Sequence, residues 1–137
     1  MQRYKILVVE DFEPLRRVIC STLQQREDFQ VNGEAGDGLE AIQKSEELQP
    51  DLILLDISLP KLNGIEAARR IGKVAPKAKI LFLTQNTSRD VATAALSTGA
   101  SGYIVKSHAG EVLFEALEAV SQGKRFVSGG IEAGISK

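Results

Sequence analysis

Four apolar runs in the chain each stop on a polar residue: Ile6-Leu7-Val8-Val9 on Glu10-Asp11, Leu52-Ile53-Leu54-Leu55 on Asp56, Ile80-Leu81-Phe82-Leu83 on Thr84, and Tyr103-Ile104-Val105 on Lys106. The runs are short, uninterrupted and rich in Ile, Leu and Val, the pattern of strands buried on both faces. Between them the period changes. Leu15, Val18, Ile19, Thr22 and Leu23 recur every three or four residues behind Pro14, which predicts a helix over residues 13–26 with proline in its first turn. A further strand is expected from about Gln30 to Ala35, where Asn32, Gly33 and Glu34 mark it as an exposed edge. Asp37 and Asn63 are each followed three residues later by a glutamate, Glu40 and Glu66, a capping pattern that opens the second and third helices. Thr87 or Ser88 caps an alanine-rich fourth helix ending at Gly99, and Val112, Leu113, Ala116, Leu117 and Val120 stripe a fifth that stops near Gly123.

Five alternations of strand and helix predict an α/β fold, a doubly wound five-stranded parallel sheet with right-handed crossovers. The stretch from Phe126 to Lys137 holds Gly129, Gly130 and Gly134 and no apolar periodicity. It reads as one domain over 1–126 and a flexible tail or the start of a linker over 127–137.

Composition narrows the classes. A chain of 137 residues with 43% hydrophobic and 26% charged residues fits one globular domain. A net charge of −1 gives no basic face for nucleic acid. Cys20 is the single cysteine, so no internal disulfide and no multi-cysteine metal site forms; it falls among apolar helix positions and reads as core. A reduced, cytoplasmic setting is expected, and the N-terminal residues resemble neither a signal peptide nor a membrane span.

Open α/β sheets bind ligands beyond the carboxyl ends of their strands. If the four runs are neighbours, Glu10, Asp11, Asp56, Thr84 and Lys106 gather there. Unit charges ~4 Å apart repel by roughly 4 kcal/mol at an effective dielectric near 20, so three acids together call for a raised pKa or a hard cation. An all-oxygen cluster with room for water suits Mg²⁺. Asp56 can then act as a nucleophilic carboxylate towards a phosphoryl group whose oxygens the Thr84 hydroxyl and the Lys106 ammonium bind, the parts of an aspartyl-phosphate site. Any one of these residues alone is more readily read as a solvated strand end; the weight lies in the coincidence of four.

The set Glu10-Asp11, Asp56, Thr84, Tyr103 and Lys106, with the stretches EAGDGLEAI, DISLPKLNGIEAARRI and TGASGYIVKS, closely resembles the receiver domain of two-component response regulators, particularly the NarL/LuxR type, over nearly everything from Lys5 to Phe126. The resemblance implies the flavodoxin-like strand order 2-1-3-4-5. It implies that Asp56 accepts a phosphoryl group from a sensor histidine kinase or phosphotransfer protein, and that Glu10, Asp11, Asp56 and the Ser58 backbone carbonyl hold Mg²⁺. It further implies that Thr84 moves to the phosphoryl group, that Tyr103 follows inward as an aromatic switch, and that Lys106 pairs with the phosphoryl oxygens. Such a protein is a signalling switch that assists its own phosphorylation and dephosphorylation. Its output is transcription, a homodimer on phosphorylation is compatible with it, and DNA is reached only through an output domain absent from this chain. The chain departs from the family pattern at Gln85, where a small residue is common, at Ser107, where proline is common, and at Ala109-Gly110, where Ser-Pro often opens the last helix. His108, the only histidine, reads as an exposed helix-start residue.

Three other readings compete. Gly36, Gly38 and Ala41 match a dinucleotide-binding fingerprint with Asp56 beyond, but they follow the poorest strand and leave Asp11, Thr84 and Lys106 unexplained. A haloacid-dehalogenase-type phosphatase needs a second aspartate two positions after the nucleophile, where this chain has Ser58. A receiver that binds partners without phosphorylation, stand-alone or not, leaves the intact acid, hydroxyl and lysine positions without a purpose.

Overall fold

The computed structural model describes residues 3–128. Among these residues are six strands and five α-helices: β1 Tyr4–Val9, α1 Glu13–Leu23, β2 Phe29–Ala35, α2 Gly38–Leu48, β3 Leu52–Leu55, α3 Gly64–Val74, β4 Lys79–Thr84, α4 Arg89–Leu96, β5 Gly102–Val105, α5 Ala109–Ser121 and β6 Phe126–Val127. All strand pairs are parallel, in the order β2-β1-β3-β4-β5-β6. No helix among them is long and apolar enough to cross a membrane.

The uninterrupted apolar runs are explained by the two faces of the sheet. Alternate side chains of a strand point to opposite sides. Leu7, Val9, Ile53, Leu55, Phe82, Tyr103 and Val105 pack into a core shared with α2, α3 and α4 through Ala41, Ala67, Ala68, Ile71, Ala92 and Ala95. Ile6, Val8, Leu52, Leu54, Leu81, Leu83 and Ile104 pack into the opposite core with Ile19, Cys20 and Leu23 of α1 and Leu113, Ala116, Leu117 and Val120 of α5. Cys20 is buried there, and burial pushes its thiol up to about 11.

Local signals act where the spacing placed them. The Asp37 carboxylate accepts the Glu40 N–H at 2.8 Å while Glu40 accepts the Gly36 N–H at 2.7 Å. Asn63 accepts the Glu66 N–H at 3.0 Å. Of the two candidate caps for α4, Ser88 serves, accepting from Val91. Helix α4 ends at Leu96 and its closing turn reaches Gly99, whose φ of +94° favours glycine.

Two expectations change. Helix α1 stops at Leu23, short of residue 26, because Gln25 and Arg26 close three-residue turns onto Thr22 and Leu23. Arg26 is then drawn to Asp28 and Glu118, with its guanidinium about 5 Å from the ring centres of Phe29 and Phe114. The sheet has six strands rather than five. Val127, expected in a tail from residue 127, belongs to the sheet, and Ser128 is bonded just beyond it: Phe126 and Ser128 donate to the Ser101 and Tyr103 carbonyls at 3.1 and 2.9 Å. Two residues are too short for a period to show, whereas the unpaired backbone edge of β5 offers them a ladder. The rest of the expected tail lies outside the described residues.

Candidate functional site

Register brings the strand ends together. Val9 pairs with Leu55 and Leu55 with Phe82, so Glu10 and Asp56 follow at the same level, and the Asp56 N–H donates to the Val9 carbonyl at 3.2 Å. Thr84 pairs with Val105, one residue before Lys106. The carboxylates of Glu10, Asp11 and Asp56 each offer an oxygen within 4.8 Å of the others. Glu10 is 2% exposed, Asp56 5% and Thr84 1%, whereas Asp11 faces solvent.

Each buried acid is held. The Lys106 ammonium lies 2.5 Å from Glu10 Oε1 and 3.0 Å from Asp56 Oδ2. Glu10 Oε2 accepts the Phe12 N–H at 3.0 Å, and Asp56 Oδ1 accepts the Ile57 N–H at 2.7 Å. Burial raises the pKa of Glu10, and the Asp56 charge adds to the rise against the opposing hydrogen bonds from Lys106 and Phe12. Burial alone pushes the Lys106 ammonium down, but its hydrogen bonds to Glu10 and Asp56, with their charges, outweigh this and hold it above the ordinary lysine value. Two buried acids thus share one ammonium, and the exposed third leaves an open, all-oxygen side. Such a donor set fits a hard divalent cation, with Asp11 and water completing the shell.

Thr84 and Tyr103 meet at a residue the sequence reading missed. Thr84 Oγ1 accepts the Asn86 N–H at 3.2 Å, and the Tyr103 hydroxyl donates to the Asn86 carbonyl at 2.8 Å. Tyr103 is fully buried and turned inward beside Phe82, its ring centre 6.4 Å away, and burial, then the Asp56 charge, pushes its hydroxyl up to about 12. Backbone groups of loop residues make these links, so no side-chain pattern announces Asn86, Ile57 or Phe12. Ser58 is exposed on the loop after Asp56, His108 is exposed beyond Lys106, and Gln85 is exposed directly after Thr84.

Gly64 was likewise unmarked as part of the site. A Cβ there would lie 2.0 Å from the Asp56 carbonyl oxygen, so its absence lets α3 begin against the loop that carries Asp56. Gly38, part of the dinucleotide-like fingerprint, serves packing instead: a Cβ would meet the Leu62 carbonyl oxygen at 2.0 Å.

Comparison with known proteins agrees with this geometry. The family model described as the response regulator receiver domain matches residues 6–118. The chain is 34% identical over 125 residues to the transcriptional regulatory protein DegU of Brevibacillus brevis, covering 91% of this chain and 53% of the relative. It is 38% identical over 120 residues to the response regulator protein VraR of Staphylococcus aureus, covering 88% and 57%. It therefore spans about half the length of the curated relatives it matches. Among solved structures, a LuxR-family two-component response regulator from Aurantimonas sp. superposes with a TM-score of 0.92 at 33% identity, over 96% of this chain and 94% of that one. The isolated receiver domain of RcsB from Salmonella enterica, in the presence of the phosphomimetic beryllofluoride, superposes at 0.90 with 25% identity, over 98% and 100%.

Proposed function

Because this chain belongs to the response regulator receiver family, we propose that it takes a phosphoryl group onto Asp56 from the phosphohistidine of a sensor histidine kinase or phosphotransfer protein and passes the change to a transcriptional output. The observation that carries this reading is Asp56 itself: a buried carboxylate with one oxygen on the Ile57 N–H, the other 3.0 Å from the Lys106 ammonium, inside a cluster of three acids.

In the transfer, an Asp56 oxygen forms the new O–P bond while the P–N bond to the donor imidazole breaks, and that nitrogen keeps the electron pair. Catalysis of such a step is largely positioning and charge stabilisation. The Ile57 N–H fixes the rotation of the Asp56 carboxylate, and the Lys106 ammonium, 3.0 Å from the other Asp56 oxygen, would meet the charge that grows on the phosphoryl oxygens. Glu10, Asp11, Asp56 and the Ser58 backbone carbonyl would hold Mg²⁺, which supplies charge neutralisation between the carboxylate and the incoming phosphoryl group. Thr84, released from the Asn86 N–H, is free to donate its hydroxyl to the phosphoryl group, and Tyr103 shares the Asn86 tether that this movement disturbs.

The product is a mixed acyl phosphate that hydrolyses, so the domain acts as a timed switch rather than a turnover enzyme. Kinase recognition, dimerisation on phosphorylation, DNA contact through a separate output domain and residence in the cytoplasm belong to the same reading.

Intact-mass spectrometry after incubation with acetyl phosphate tests it. One added phosphoryl group is expected in the wild type with Mg²⁺, and none without the metal or in Asp56→Asn. An adduct that persists in Asp56→Asn would refute Asp56 as acceptor. Absence of any adduct together with failure to bind beryllofluoride would favour an interaction module that works without phosphorylation.

A further inference from the structure

Two buried hydrogen bonds join the end of β5 to the chain beyond α5. The Ser128 N–H donates to the Tyr103 carbonyl at 2.9 Å, and the Val105 N–H donates to Ser128 Oγ at 3.2 Å. Ser128 is 2% exposed. A parallel ladder would offer Val105 a backbone carbonyl at this point; a serine hydroxyl takes its place, and β6 ends one residue earlier. Ser128 thereby grips the strand at the residue carrying Tyr103 and again at the residue before Lys106.

The chain that follows β5 is held less firmly. Lys106–His108 form a 3-10 turn leading into α5, and neither the turn nor α5 has a side-chain cap among the described residues. A Cβ added at Gly110, in the first turn of α5, would meet nothing within 4 Å. The direction in which the chain leaves β5, and with it the origin of the Lys106 side chain, is set by β4 on one side, where Thr84 pairs with Val105, and by Ser128 on the other.

We propose that Ser128 is a positioning residue for phosphoryl transfer, setting through Val105 the strand end from which Lys106 reaches Asp56. The proposal rests on the receiver reading above for the part Lys106 plays. Ser128 touches neither the acceptor nor the phosphoryl group; it acts through the backbone.

The test compares wild type, Ser128→Ala, Ser128→Thr and, as a control for a simple loss of stability, Ile71→Val in the buried face of α3. Two readouts are taken on the full chain: the rate of adduct formation from acetyl phosphate with Mg²⁺, and the ¹³Cε resonance of Lys106 in metal-free protein. Ser128→Ala is expected to slow adduct formation by about tenfold, less than the roughly hundredfold that a 1 Å misplacement can cost, and to shift the Lys106 resonance. Ser128→Thr, which keeps the hydroxyl, restores both, and Ile71→Val moves neither. An unchanged rate and resonance in Ser128→Ala would overturn the proposal, as would equal slowing in Ile71→Val. If even the wild type takes no phosphoryl group, the receiver reading fails, and the resonance alone decides: a shift reversed by threonine keeps Ser128 as the anchor of Lys106, and no shift removes it.

Discussion

At the scale of single residues the site is a balance of two buried acids, one exposed acid and one ammonium. Asp56 adds repulsion at Glu10, while its own contacts are one N–H and a shared lysine. Asp56→Asn keeps an acceptor for Ile57 and leaves Lys106 to Glu10. The metal-free variant is therefore expected to melt above wild type and to lack the rise in melting temperature with Mg²⁺ that is expected of wild type. A lower melting point for metal-free Asp56→Asn would contradict the clustered-acid account. Asp37 works in the opposite sense. The Glu40 N–H, and then the nearby Lys61 charge, hold its carboxyl below the ordinary aspartate value despite some burial. A group lowered in this way stabilises the fold above the unfolded pKa, about 3.9, and that stability is lost as the pH falls through the folded value. Asp37→Ala should cost about 1 kcal/mol at neutral pH. Denaturant titrations repeated at falling pH should show the gap between variant and wild type closing below about pH 4.

At the scale of elements, glycines separate structural need from slack. Gly64 opens α3 against the Asp56 carbonyl, where a Cβ would fall at 2.0 Å on backbone that cannot move without carrying Asp56 along. Gly110 sits in the uncapped first turn of α5 with open space around it. Gly64→Ala is expected to destabilise the protein by about 1–3 kcal/mol, as overpacking does. Gly110→Ala should stabilise it by about 0.5–1 kcal/mol, because alanine restricts the unfolded chain and suits a helix. Urea melts of the two variants check both signs at once. The first turn of α5, where Ser-Pro is missing, carries no side-chain cap. Helix α5 is better secured beyond its first turn, where Phe114 in its middle and Glu118 near its end meet Arg26 of the α1–β2 connection.

At the scale of the whole molecule, the sheet links a charged edge to two helical layers. Phosphorylation adds about −1.5 to −2 charges and new acceptor oxygens at Asp56. Reversing a 1:99 population takes about 5.5 kcal/mol of differential stabilisation, so on the proposed reading the response would depend on what the phosphoryl group gains from Lys106 and Thr84 in one state only. On the proposed reading the change would leave the site through Asn86, which both Thr84 and Tyr103 touch, and through β5 to β6. Amide NMR spectra with and without beryllofluoride and Mg²⁺ should therefore show shifts at Asn86, α4, Tyr103 and Ser128 as well as at the acids. Shifts confined to residues around Asp56 would mean that binding is not transmitted.

The sequence by itself determined the elements and the chemistry of the strand ends. Uninterrupted apolar runs need two buried faces, helical stripes need one, and Asp37, Asn63 and Ser88 satisfy free N–H groups wherever their helices pack; all of this is local and periodic. Asp56, Glu10 and Lys106 were legible because each closes such a run. Asn86, Gly64 and Ser128 were not, since what they do depends on groups far away in sequence or on close backbone approach: the hydroxyl of Tyr103, the carbonyl of Asp56 and the N–H of Val105. Only the tertiary structure decided the sixth strand, the level at which the acids meet and the sharing of Lys106 between them. Strand register and long-range hydrogen bonds are properties of segments brought together, and no period within one segment encodes them.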